Sequence, residues 1–329
     1  MTLIFFLQNM ASKIPFAVLR TGARMPSIGY GTYQAHKGSL QDSVGMALDV
    51  GYRHIDTAIS YQNEQDIGDS LAQPLRSGQI KRQDLFITTK VPPIYMAEKD
   101  VIPCVEESLE RLQTSYVDML LIHTPFGCKN LGDGNFAPLD KNGNRIVEDH
   151  DYIKTWKQME KLVQRGSAKA IGLSNFCANQ IDNIMKAAEI PPANLQHECH
   201  AYLQQHKLRA YCQKHDIVST GYSPVGAPTR PDYYIKEEHV SLFEDPVVTE
   251  IAEKLQKTPG QVLIRYVSQL GTIPLPKSVT PNRIRDNFES MFFDIPQEDM
   301  KKLATLNQNM KYFTFTWAKA SANFPIDDF

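Results

Sequence analysis

Short apolar runs alternate with amphipathic stretches along most of this chain, and that alternation predicts its fold. The apolar runs recur at 27–31, 52–56, 85–90, 117–123, 169–173, 194–199, 217–221 and 272–275. Between them lie 39–50, 100–113, 152–164, 178–188 and 203–215. There, apolar residues return at three and four positions, as at Val105, Leu109 and Leu112, which is the repeat of a helix with one buried face. Gly51 and Gly166 stand where helix C-caps fall. Strands alternating with helices predict a parallel sheet, and eight strands are enough to close a barrel. The front end differs: 16–19, a turn at 21–24 and Met25 read as a hairpin placed to plug the floor. The expected fold is therefore α/β, a (β/α)8 TIM barrel. An N-terminal β-hairpin closes its bottom, and long loops plus a C-terminal tail stand at the top. Two inserts, 127–150 and 224–245, follow strands and so belong to the C-terminal face where barrel sites are built. No linker composition marks a boundary. Residues 10–329 read as a single barrel domain and 1–9 as a short N-terminal extension.

Charge and cysteine usage narrow the function. A net charge of −2, with Lys and Arg dispersed, gives no case for nucleic acid or an anionic membrane. Five widely spaced cysteines without a CxxC pair point to reduced thiols in a cytoplasmic protein rather than to zinc or disulfides. The apolar run at 3–7 lacks a basic flank and is too short for a signal peptide, and no later segment is long enough to span a bilayer.

Three successive strand-like runs end in ionisable residues, Asp56, Lys90 and His123. Any one alone is more often a capping or surface group. In a barrel, however, strand C-termini converge on one mouth, where Tyr61, five residues after Asp56, could join them. A free phenol with a pKa of about 10 is a poor donor near neutrality. An ammonium beside it, kept charged by Asp56, is expected to lower that value, while His123 orients a substrate oxygen. Such a dyad, with no nucleophile nearby, suits carbonyl reduction rather than hydrolysis. His54 and Asp56, two apart on one strand, could imitate a metal pair, but no second ligand cluster follows. No metal is expected, and a barrel metallohydrolase is disfavoured.

With these residues in place, the chain resembles the aldo-keto reductase family from about residue 10 to 309. GYRHIDTAISYQNE carries the family's Asp and Tyr, FITTK its Lys and DMLLIH its His; AIGLSNF, LQHECHAYLQ, GYSPVG and LPKSVTPNRIRDN follow in family order. The resemblance implies a tetrad of Asp56, Tyr61, Lys90 and His123, and hydride transfer from NADPH to an aldehyde or ketone.

Gly29-Tyr30-Gly31 lacks the third glycine of a dinucleotide motif and reads instead as a tight turn at a strand end. The better anion site begins at Lys277-Ser278, where Thr280-Pro281 opens a helix whose N-terminal N–H groups can meet phosphate. Lys277, Ser278 and Arg283 add donors for a terminal phosphate, favouring NADPH/NADP+ over NADH. The resemblance implies the same residues, with Asn287 on the adenine, Ser174, Asn175 and Gln196 on the carboxamide, and Tyr222 stacked on the nicotinamide. Gly31, Thr32, Asp56, Ser223, Val225 and Val279 complete the implied cofactor wall. Thr229 stands where many members place an acid that pairs with the phosphate-site lysine, which puts tight loop closure in doubt.

Specificity is expected from Tyr33, Tyr61, His123, Thr124, Phe136 and the tail residues Phe313, Phe315 and Trp317. Thr124 and Pro92 replace bulkier aromatics, so the pocket reads as roomy, suited to a bulky ketone such as a steroid, and insect 3-dehydroecdysone reductases are a neighbour. The expected partner is a small-molecule carbonyl compound, and family precedent implies a monomer. The alternative is a non-catalytic NADPH-binding regulatory subunit on the same barrel.

Overall fold

The computed structural model describes residues 14–35, 38–230 and 241–325; the 1–9 extension and the centre of the second insert lie outside them. One sheet holds eight strands: β3 (Tyr30–Gly31), β4 (His54–Asp56), β5 (Phe86–Val91), β6 (Val117–Ile122), β7 (Ala168–Ser174), β8 (Asn194–Glu198), β9 (Val218–Tyr222) and β10 (Ile273–Leu275). They pair in sequence order and every pairing is parallel, so each predicted run supplies one strand. The first and last strands then meet. Gly29 N donates to Pro274 O and Gly31 N to Pro276 O, both at 3.0 Å.

The seam explains the glycine pair. A Cβ on Gly29 would lie 2.5 Å from Leu275 Cδ2 and 2.7 Å from His54 Nδ1, and one on Gly31 would lie 3.1 Å from Leu275 O. Neither glycine has positive φ. The expected tight turn is thus corrected: these glycines permit close backbone approach where the barrel shuts.

Crossover helices pack around the sheet: α1 (Leu40–Val50), α2 (Glu64–Arg76), α3 (Glu98–Arg111), α4 (Tyr152–Gln164), α5 (Ala178–Ala187), α6 (His206–Lys214), then α7 (Pro246–Leu255), α8 (Pro259–Gln269), α9 (Pro281–Glu289) and α10 (Gln297–Ala304). Their starts follow capping chemistry. Asp151 accepts from Ile153 N before α4, Asp245 from Val247 N and Val248 N before α7, and Thr258 from Gln261 N before α8. Gly51, at φ 125°, caps α1 as the sequence predicts, whereas Arg165 is the C-cap of α4 and Gly166, at φ 81°, follows it by one residue. The sheet's outer face and the helices bury one core around Ile87, Leu120, Ile171, Trp156 and Phe176.

The floor is closed by β1 (Phe16–Val18) and β2 (Arg24–Pro26), an antiparallel hairpin. Leu19, just after β1, and Met25 of β2, each 1% exposed, pack on Phe86, Met119, Leu121 and Ile273. The strand C-termini are therefore left as the open end. None of the five cysteines is in a disulfide. Among the described residues no helix is long and apolar enough to cross a membrane.

Candidate active site

The strand-end residues meet at the open end. Lys90 near the end of β5 is 1% exposed, and Asp56 at the end of β4 is 4% exposed. Lys90 Nζ donates to Asp56 Oδ1 at 2.6 Å, to Thr57 O at 2.8 Å and to Tyr61 Oη at 3.4 Å. Gln196 Nε2 donates to the other Asp56 oxygen at 2.7 Å. Tyr61 sits in a 3-10 turn, Ile59–Tyr61, just beyond β4. Asn63 pins that turn by donating to Thr32 O and Ala35 O at 2.9 and 3.2 Å. The Tyr61 ring stands 5.1 Å from Tyr33 and 5.8 Å from His123, centroid to centroid.

Electrostatics correct one expectation. The Tyr61 phenol is pushed well above its usual range, first by burial and then by the Asp56 charge. Lys90 does not make it acidic at rest, because its short bonds go to Asp56 and Thr57. The phenol therefore stays protonated at neutral pH. Burial also lowers the Lys90 ammonium, with Asp56 opposing the loss of its charge. His123 is held neutral, its pKa lowered to about 3 by burial and the Lys90 charge. Among the described residues its buried Nδ1 has no hydrogen-bond partner. His54 is a core residue: its Nε2 contacts Thr88 Oγ1 at 3.1 Å and its ring packs on Phe86. Among the described residues no cluster of three His, Cys, Asp or Glu could hold a metal.

One cleft of about 940 Å³ opens from this centre. Every residue assigned to a cofactor or substrate from the sequence except Pro92 lies on its wall, while Lys90 stands just behind it. Tyr222 Oη donates to Asn175 Oδ1 at 2.8 Å, and Asn175 Nδ2 donates to His123 O at 2.9 Å, linking three strand ends. Asn175 and Ser223 both hold positive φ, 63° and 55°, a conformation uncommon outside glycine that clusters at functional sites. Further along, Tyr30 Oη donates to Ser278 O at 2.6 Å and braces the turn into α9. Thr280 precedes Pro281 without a side-chain cap, so the first turn of α9 keeps free N–H groups beside Lys277 and Arg283. This donor set fits a phosphate. Lys277 Nζ donates to Gln34 O at 3.0 Å, and Thr229 lies on the same wall without supplying an acid.

The opposite wall carries Tyr33, Thr124, Phe136, Phe313, Phe315 and Trp317. Thr124 spends its hydroxyl on Phe126 O at 2.8 Å. Pro92 is absent from the wall; Pro93 lines it instead. Sequence reasoning missed Cys128, Arg145 and Arg230 on the wall, and Thr258 at the start of α8. Arg145 lies 5.6 Å from the Trp317 ring, a contact between insert and tail that no local pattern announces.

Comparison with known proteins accounts for this arrangement. The aldo/keto reductase family profile matches residues 27–308. The chain is 41% identical over 304 residues to "Aldo-keto reductase family 1 member A1" of Gallus gallus, covering 92% of each protein. It is 38% identical over 324 residues to "Aldo-keto reductase family 1 member C18" of Rattus norvegicus, covering 97% of this chain and 99% of that one. An aldose reductase structure from Schistosoma japonicum superposes with a TM-score of 0.88 at 38% identity, over 96% of this chain and 99% of the other. With eight parallel strands, a buried lysine–aspartate pair at their C-terminal ends and relatives matched nearly end to end, this chain belongs to the aldo/keto reductase family, oxidoreductases that generally reduce carbonyl compounds with NADP(H).

Proposed function

We propose that this enzyme reduces a bulky aldehyde or ketone with NADPH, and that Tyr61 donates the proton. The observation that carries the reading is the Lys90 ammonium, held by Asp56 at 2.6 Å and standing 3.4 Å from the Tyr61 hydroxyl at the cleft wall. Bound NADPH supplies the hydride received by the carbonyl carbon. Tyr61 passes its proton to the carbonyl oxygen, and the charge left on the phenolic oxygen is met by Lys90. The ammonium thus acts on the phenolate as it forms, while burial keeps the resting phenol intact. His123, neutral over the working range, can donate a hydrogen bond to the same carbonyl oxygen without competing for its proton.

The residues that would hold the cofactor form a continuous band. Lys277, Ser278 and Arg283, with the uncapped start of α9, suit the terminal phosphate; Asn287 lies further along α9. Ser174, Asn175 and Gln196 surround the reacting end beside Tyr222, and Gly31, Thr32, Ser223, Val225 and Val279 line the path between. The low wall at Thr124, with Tyr33, Phe136, Phe313 and Trp317 around it, favours a tetracyclic or similarly broad ketone such as a steroid. A non-catalytic regulatory subunit would leave the Lys90–Tyr61 contact without a use. We further infer a monomer of one barrel in a reducing, cytoplasmic setting, in keeping with five cysteines that form no disulfide.

The test is Tyr61→Phe. NADPH oxidation with a panel of aldehydes and steroid ketones should fall by about 10²–10⁴-fold, the usual weight of a positioned proton donor. NADPH affinity, measured by fluorescence quenching, should be nearly unchanged. Turnover retained by the variant would remove Tyr61 from the donor role.

A further inference from the structure

The C-terminal tail crosses the barrel mouth between residues 312 and 324, and two carboxylates outside the catalytic group hold its ends. Glu198, the last residue of β8, is 4% exposed. Its Oε1 accepts from Tyr312 N at 2.8 Å and its Oε2 from Phe313 N at 3.1 Å; His200 Nε2 contacts Oε1 at 2.9 Å. At the far end Asp149, in the 127–150 insert, accepts from Ala322 N at 3.1 Å and from the Ser321 hydroxyl. Asn323 Nδ2 adds a bond to His150 O at 2.8 Å. Between these points Phe313, Phe315 and Trp317 reach the cleft. Phe315 and Trp317 also pack on Phe126 at 5.6 and 5.2 Å.

A buried carboxylate is costly unless its oxygens are matched, and Glu198 matches one with a tail N–H alone and the other with a tail N–H plus His200. The barrel therefore commits a desolvated charge to the position of one surface segment. Asp149 fastens the same segment to the insert that carries Phe136 and Arg145, so the two pocket walls are joined across the mouth.

We propose that Glu198 and Asp149 are positioning residues for carbonyl specificity: they pin the tail as a strap at both ends and so fix how far its aromatic side chains overhang the substrate. Neither group touches the reacting atoms. A broad carbonyl compound that fills the pocket to the strap should depend on both pins, whereas a short one that reaches only Tyr61 and His123 should depend on neither.

This inference rests on the reductase reading, and the experiment separates the two. Asp149→Ala is the primary variant because Asp149 is exposed and outside the core; Asp149→Asn, which keeps one acceptor oxygen, is the conservative control, and Glu198→Gln tests the buried end. KM and kcat are measured with a steroid ketone and with a short-chain aliphatic aldehyde, alongside NADPH affinity. Loss of one pin should raise KM for the steroid ketone by at least about tenfold, the weight of one lost hydrogen bond to a charged acceptor. It should leave kcat, the aldehyde KM and NADPH affinity near the parent values, with Asp149→Asn falling between.

A second readout needs no turnover. The chain has two tryptophans, and Trp156 is 0% exposed, so acrylamide quenching reports Trp317 and should rise in the variants. If the parent enzyme reduces no carbonyl, the reductase reading fails while the quenching result still judges the strap. Equal KM changes for both carbonyls, a parallel loss of NADPH affinity, or unchanged KM and quenching would each overturn the proposal.

Discussion

Asp56 and Lys90 form a charge pair with almost no access to water, and mutating them singly and together tests whether the site is held as argued. At 2.6 Å their attraction is about 6 kcal/mol for an effective dielectric constant near 20. Dehydrating both groups offsets much of this. Removing one partner strands the other and should cost about 3–5 kcal/mol. Asp56→Asn leaves Lys90 with Thr57 O but without a counter-ion, and Lys90→Met leaves Asp56 with Gln196 alone. The double variant removes both charges and should lose no more than either single variant, although additive effects would reach about 6–10 kcal/mol.

Urea unfolding without cofactor, followed by fluorescence and circular dichroism, measures the cycle free of ligand stabilisation. The sign with pH is also fixed. Without Asp56 only the weaker pull of the Glu64 charge opposes the burial that already lowers the Lys90 pKa, so its folded value lies below the unfolded one of about 10.4. The native state then sheds its proton first, and the Asp56→Asn penalty should shrink as pH rises from neutral towards that value. Additive losses, or a penalty that ignores pH, would refute the paired-charge account.

Two further outcomes follow from other parts of the molecule. Arg283→Met should weaken NADPH by about 10–100-fold, the weight of a charged hydrogen-bond pair, and leave NADH within about twofold; equal losses in a fluorescence titration would contradict the phosphate assignment. Glu64→Gln should make the enzyme more acid-sensitive. His54, His123 and His197 are held at about 4, 3 and 4, so stability falls as pH drops from about 6.5 towards those values, by about three protons. Glu64, raised to about 7 by burial, works the opposite way over pH 7 to 4.5 and cancels about one of them, so unfolding midpoints between pH 5 and 6 should slope more steeply in the variant.

Much of this was legible in the chain because barrel strands are short, apolar and regularly spaced. Each of the eight runs holds a strand, and the three that end in Asp56, Lys90 and His123 deliver those groups to one mouth. Polar contacts across long sequence separations were not legible. Glu198 and Gln196 alternate on β8, so both were readable as inward-facing, yet nothing local reveals that one serves Asp56 and the other the tail backbone. Pro92 and Pro93 differ by one position, and only the turn after β5 decides which faces the cleft. The Gly29–Gly31 pair misled for a related reason: its neighbours are β4 and β10, and β10 is more than 240 residues away by sequence number.

The same limit explains the error over Tyr61. Proximity of an ammonium to a phenol says which charge will be favoured, but not where the ammonium spends its protons at rest. Here two short bonds hold Lys90 to Asp56 and Thr57, and the phenol is left at 3.4 Å in a buried setting that disfavours ionisation. A permanently acidified tyrosine would lose its proton before substrate arrived, whereas this one keeps it. Stabilisation becomes available only when negative charge appears on the phenolic oxygen, and only that difference between resting and reacting states can lower a barrier. For the proton-donor role proposed for Tyr61, the longer Lys90–Tyr61 contact is the geometry required, and shortening it in the resting enzyme would stabilise the wrong state.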